Sequence, residues 1–97
     1  RHALPRPVDI RHVRLEVTGR AGSAVSVVHT AGGPLAQLPL GRDIPVTDLR
    51  GVAFSVSTRP GQHATCRLLV DQVLGDEEYA EGGGQALCTW LRLSPRG

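Results

Sequence analysis

Ala64-Thr65-Cys66-Arg67-Leu68-Leu69-Val70, read together with Ala86-Leu87-Cys88-Thr89-Trp90, decides the fold class of this chain. Ala64, Cys66, Leu68 and Val70 share one face of a period-2 strand, and Cys88 and Trp90 share a face of another. These are the only two cysteines, so one intramolecular pairing is open to them and no odd thiol is left over. Two buried half-cystines on neighbouring strands would mark a small all-β domain folded in an oxidising compartment. Joined across 22 positions, they would contribute about 3 kcal/mol by restricting the unfolded chain.

Such a contribution matters at this size. A single domain of 97 residues buries only about 60–65% of the surface its unfolded chain exposes. One Trp, one Tyr and one Phe leave the core to Val, Leu and Ala, which supply less buried area per residue than aromatics do.

Alternation continues on both sides of the cysteine strand. His12–Thr18 places Val13, Leu15 and Val17 on one face, and Gly19–Ser23 turns the chain. Ala24–Thr30 is a second strand, closed by Ala31-Gly32-Gly33-Pro34. In residues 35–51, Leu35, Leu38 and Leu40 indicate a short strand that Pro39 and Pro45 confine to an edge or a bulge. Val52–Thr58 alternates cleanly and ends at the turn Arg59-Pro60-Gly61-Gln62. Asp71-Gln72 is a two-residue hairpin turn, although Gln stands where Gly usually supplies a positive φ. Val73–Tyr79 returns, and the last strand spans Ala86–Leu93. Leu87, Leu91 and Leu93 oppose Cys88 and Trp90 on that strand, which implies a central position or a covered outer face. With no helical period anywhere, about seven strands fit an immunoglobulin-like antiparallel β-sandwich. The domain is expected over residues 12–97, with residues 1–11 as an extended linker.

The positive charge is all arginine, and lysine, asparagine and methionine are absent. That composition reflects a GC-rich genome. The net charge of +2, with no basic stripe interleaved with aromatics, gives no nucleic-acid footprint. No apolar run approaches the roughly 20 residues that span a bilayer, and no export signal is present. A chain starting at Arg1 reads as part of a secreted or membrane-anchored precursor.

Candidate chemistry is sparse. His2, His12, His29 and His63 lack metal-ligand spacing and read as surface residues. Asp76, Glu77, Glu78 and Glu81 lack the ligand pattern of a calcium loop and fit a solvated edge. Gly82-Gly83-Gly84 has no Lys-Ser/Thr after it and reads as a flexible loop. Ser23, Ser26, Ser55, Ser57 and Ser94 have neither a nucleophile-elbow context nor an assignable base. The residues therefore point to a non-enzymatic protein with no catalytic residue, cofactor or metal. Val28, Leu69, Leu74, Leu87 and Leu91 lie off the main inward pattern. They form a contact patch if exposed together, or pack under loops.

Val13-Arg14-Leu15-Glu16-Val17-Thr18-Gly19, followed by Cys66-Arg67-Leu68-Leu69-Val70-Asp71 and by Cys88 downstream, resembles the MmpS family of small membrane proteins first known from mycobacteria. The family pattern runs approximately V-x-L-E-V-x-G, then L-P-W, then C-R-I-x-V-D-G and a second Cys. Here Ile44-Pro45-Val46 stands at L-P-W and Gln72 at the hairpin glycine. The resemblance covers about residues 12–90. It implies an actinobacterial cell-envelope protein with an N-terminal membrane anchor and an extracytoplasmic β-sandwich stapled by a Cys66–Cys88 disulfide. It also implies a large RND-type (MmpL-like) transporter as partner, with lipid or siderophore-like cargo exported. The alternatives are a free-standing immunoglobulin-like adhesion or recognition module, and a small carrier holding lipid between its sheets.

Overall fold

The chain changes sheet five times, and this explains how strands of modest length build two faces around one core. The computed structural model describes residues 9–92. Its eight strands are β1 (Ile10–Gly19), β2 (Ser23–Thr30), β3 (Gly33–Ala36), β4 (Ile44–Thr47), β5 (Leu49–Ser57), β6 (His63–Val70), β7 (Val73–Glu81) and β8 (Gln85–Leu91). One antiparallel sheet, here sheet A, has the order β4-β1-β6-β7, and sheet B has the order β3-β2-β5-β8. The expected small antiparallel sandwich is present, with its own strand order. The single short strand expected in residues 35–51 is instead two, one at an edge of each sheet.

The alternation read from the sequence is the alternation that packs. Val13 and Leu15 of β1, Val52, Phe54 and Val56 of β5, and Ala64, Cys66, Leu68 and Val70 of β6 are all buried. With Val28, Val46 and Leu49 they fill the space between the sheets. β3 and β4 tolerate Pro34 and Pro45 because each is an edge strand, with one side of its backbone unpaired. β1 begins at Ile10, so residues 10 and 11 of the expected linker are already paired, opposite Thr47 and Val46. Residues 1–8 of that linker, His2 among them, and Leu93 and Ser94 of the last expected strand and its end lie outside the described residues.

Two turns show how local chemistry sets the register. Gly19 ends β1 at φ 87°, and a Cβ there would stand 2.4 Å from the His63 carbonyl oxygen. Only glycine fits, and the neighbouring Arg20 N–H donates to that carbonyl at 2.8 Å. Between β6 and β7, Asp71 and Gln72 both adopt positive φ, 51° and 65°. This is the two-residue turn whose twist matches paired strands. Asp71 tolerates the conformation and uses its side chain as well. The His12 N–H donates to Oδ1 at 2.9 Å and Arg11 donates to Oδ2 at 3.2 Å. The backbone bond from His12, assisted by the Arg11 charge, holds the Asp71 carboxyl below its ordinary value. Its stabilising effect is therefore present above the usual carboxylate range and is lost as pH falls through the lowered value.

Gln72 makes no such use of its strained backbone. Replacing it with glycine relieves left-handed strain at some entropic cost, for a net gain of about 0.5–1 kcal/mol. A rise in the urea midpoint at unchanged slope checks this.

Candidate interaction surface

The two outer faces of the sandwich differ in chemistry. On sheet A, the outward positions of β1, β6 and β7 carry an ion ladder. Glu16 stands opposite Arg67, and Arg67 opposite Glu77. Arg67 reaches Glu16 at 3.2 Å and Glu77 at 2.9 Å, while Arg14 reaches Glu16 at 3.1 Å and Asp43 at 3.8 Å. Exposed pairs of this kind contribute little each, about 0–1 kcal/mol. Their effect is to leave a face whose charges are already satisfied among themselves.

The outer face of sheet B has no such ladder. Its outward positions are Pro34 and Ala36 on β3, Val25, Val27 and His29 on β2, Ala53 and Ser55 on β5, and Leu87, Thr89 and Leu91 on β8. No carboxylate or guanidinium side chain occupies these paired positions, and the exposed Arg50, the unpaired residue of the β5 bulge between Leu49 and Gly51, stands at the end of the set. Val25 is 53% exposed, Leu87 54% and Leu91 74%. β8 is therefore an edge strand with an open outer face, not the central or covered strand that its two-sided apolar pattern implied.

The expected contact patch divides accordingly. Leu87 and Leu91 lie on the sheet B face. Leu69 and Leu74 are opposite each other on sheet A. Val28 is buried in the core, so it belongs to no patch. Val25 is the member that the sequence did not reveal. It was hidden because Ser26 points inward between Val25 and Val27. The buried Ser26 hydroxyl accepts the Leu38 N–H at 3.0 Å, and the Ser26 N–H donates to Gln37 Oε1 at 2.8 Å. A polar inward residue with its own partners inverts the usual polarity reading of a strand.

The remaining edges are protected. β3 and β4 are four residues each and carry prolines. β7 and β8 face one another across the sandwich. Asp76 points inward, opposite Leu68 on the neighbouring strand, and accepts the Thr89 N–H at 2.9 Å. The register shift between Leu68 and Leu69 leaves Gly75 as an extra residue. Its missing Cβ admits Trp90, whose Cδ1 would lie 3.0 Å from one. Glu78 is also on the inward side, and a hydrogen bond shared with Asp76 raises its carboxyl above the ordinary value.

Cys66 on β6 and Cys88 on β8 meet across the two sheets. Both are wholly buried, and their sulfurs are 2.6 Å apart. No bond joins them in this structure, and Cys88 Sγ lies 3.1 Å from the Cys66 carbonyl oxygen. Burial, first of all, pushes the Cys88 thiol up. A thiol so placed is a poor nucleophile.

His12, His29 and His63 are exposed. Among the described residues no three His, Cys, Asp or Glu side chains are grouped to hold a metal ion. No described helix is long and apolar enough to cross a membrane. The space between the sheets is filled by Phe54, Leu15, Leu49 and Leu68, each fully buried.

The residues that carry the family resemblance all have structural roles. Glu16 and Arg67 pair across β1 and β6, Val17 lies opposite Cys66, Gly19 admits a carbonyl, and Asp71 makes the turn. The two blocks are simply the central strands of sheet A. Comparison with protein-family models, with curated proteins and with solved structures gave no significant match for this chain.

Proposed function

We propose that this chain is a non-enzymatic extracytoplasmic binding domain that docks onto a large RND-type membrane transporter through the outer face of sheet B. The observation that carries the docking surface is that this face has no carboxylate or guanidinium in its register while Val25, Leu87 and Leu91 stand exposed on it. Strand addition at an edge is disfavoured by the prolines of β3 and β4 and by the β7–β8 contact. A cargo held between the sheets is disfavoured by the filled interior. The transporter partner, the membrane anchor, the envelope location and the lipid or siderophore-like cargo rest on the MmpS resemblance. In that setting Cys66 and Cys88 form a disulfide.

Strand spacing of about 4.8 Å and a rise of about 3.4 Å per residue make the face roughly 15–20 Å by 20–25 Å. Some 400 Å² is well under the roughly 800 Å² per partner of a stable standard interface. The face alone therefore supports reversible docking rather than a permanent subunit contact.

The test is capture of a detergent-solubilised RND-type (MmpL-like) permease from the source organism. Val25→Asp with Leu87→Asp should weaken capture about 30-fold or more, the effect of losing two central apolar contacts. Arg67→Gln with Glu77→Gln on sheet A should leave it within about twofold. Equal capture by all three proteins removes the docking face, and no capture by any of them removes the transporter.

A further inference from the structure

The proline-bearing strand β4 guards only part of the β1 edge. It pairs with β1 from Ile10 to Val13 and stops there, while β1 runs on along β6 to Gly19. Backbone groups of even-numbered β1 residues face β6, as the His12 carbonyl does in accepting the Asp71 N–H. Those of odd-numbered residues face the opposite side, as the Leu15 carbonyl does in accepting the Gly41 N–H at 2.8 Å. Val17 is the next odd residue. Its N–H and C=O therefore point out of the sheet edge, and neither has a partner among the described residues.

Beside this unpaired donor and acceptor lies an open groove of about 380 Å³ lined by Glu16, Val17, Thr18, Leu40 and Gly41. Leu40, 48% exposed, supplies its apolar wall together with the half-buried Val17. Glu16 is its only charged lining residue, and Arg14 and Arg67 already engage it. The groove itself thus suits an uncharged side chain. Its two ends differ. Arg20 follows Gly19 and Arg42 follows Gly41, both exposed, and neither makes an ion pair among the described residues. A backbone donor and acceptor in phase with an existing ladder are satisfied together by another extended backbone. A small apolar molecule would leave both unused.

We propose that the Val17 edge and the Leu40 groove receive an extended segment of a partner protein, added to sheet A beside β1. One aliphatic side chain of that segment lies against Leu40, and carboxylates on either side of it meet Arg20 and Arg42. The site takes only a few residues, because Gly41 closes one end and β1 turns away after Gly19 at the other, so binding is weak and reversible. It is separate from the sheet B docking face and requires no transporter.

The probe is the blocked peptide acetyl-Asp-Thr-Ile-Thr-Glu-amide, titrated into isotope-labelled protein and followed by amide NMR. In the free protein the Val17 amide should exchange fast beside the paired Glu16 and Thr18. Peptide should shift its resonance and slow its exchange. Methylating the isoleucine nitrogen, which removes the donor to the Val17 carbonyl, should weaken binding about tenfold or more, and Leu40→Asp should do the same. Leu87→Asp on the docking face should leave binding unchanged. Arg20→Glu with Arg42→Glu should turn the preference toward a lysine-flanked counterpart of the peptide. Each substituted side chain is exposed, so the variants keep the fold. The proposal is overturned by an unperturbed Val17 amide at millimolar peptide, by equal binding of the methylated peptide, or by a charge preference that does not reverse. Slow Val17 exchange in the free protein would also overturn it, because the edge would then be covered already, by a second copy if protection grows with concentration.

Discussion

Intact-mass measurement without reductant is expected to find the chain two hydrogens lighter than its reduced form, with Cys66 and Cys88 joined across the two sheets. Their sulfurs already lie 2.6 Å apart inside the core, so bond formation asks for little movement of either strand. The link spans 22 positions and should add about 3 kcal/mol by restricting the unfolded chain. Against the roughly 5–15 kcal/mol typical of small domains, its removal is a large loss. Cys66→Ala and Cys88→Ala should each lower unfolding free energy by about 2–5 kcal/mol. The double variant should cost little beyond either single one, since the bond is lost once.

The kinetics of reduction should carry the same signature. Cys66 and Cys88 are both wholly buried. Reductant reaches the sulfurs only when the β7–β8 side opens, so reduction should be slow in native buffer and fast in urea. Recovery of two alkylatable thiols from protein isolated without reductant would refute the pairing.

The fold was legible where one inward position follows another without interruption. β5 and β6 each present an unbroken inward row, from Val52 to Val56 and from Ala64 to Val70, and the period alone assigns them. The Asp71-Gln72 turn was legible from its length, despite the missing glycine, because two residues between paired strands admit few geometries. Legibility failed where a residue's partner is distant in sequence. Ser26 is satisfied by Gln37 and Leu38, which no local pattern reveals, so Val28 reads as lying off the inward pattern although it is buried, and the exposure of Val25 goes unseen.

β8 failed for a related reason. A strand with leucines on both faces reads as covered, yet its outer leucines stay in solvent. That departure from the folding pattern is itself the mark of the candidate surface, because packing gives no reason for Leu87 and Leu91 to be exposed. The five changes of sheet were beyond the sequence altogether. Gly19-Arg20-Ala21-Gly22 reads as a turn, but whether a turn pairs its flanking strands or passes between layers is decided by distant hydrogen bonds. Here Arg20 donates to His63 and Gly22 to Ser57.

Phe54→Ala is expected to have the largest effect of any single substitution, a loss of about 3–5 kcal/mol. Phe54 is the one aromatic side chain fully buried in this core. It lies at the centre of β5, opposite Ser26 on one neighbouring strand and Cys88 on the other. The surrounding Val and Leu side chains are held by paired strands on both sheets and cannot collapse to fill the space. At about 4–8 °C per kcal/mol for a domain of this size, the melting temperature should fall by more than about 12 °C. Phe54→Leu should recover most of the loss, because the cavity rather than the aromatic ring is what costs. Since Phe54 neighbours the sulfur pair, its effect should also depend on the redox state of Cys66 and Cys88. In the reduced protein the same substitution should leave little folded chain at room temperature. Coupling of that sign follows only if one hydrophobic layer and one cross-sheet link hold the same two sheets together. A Phe54→Ala protein that melts within a few degrees of its parent would mean that the layer between the sheets is not where this domain keeps its stability.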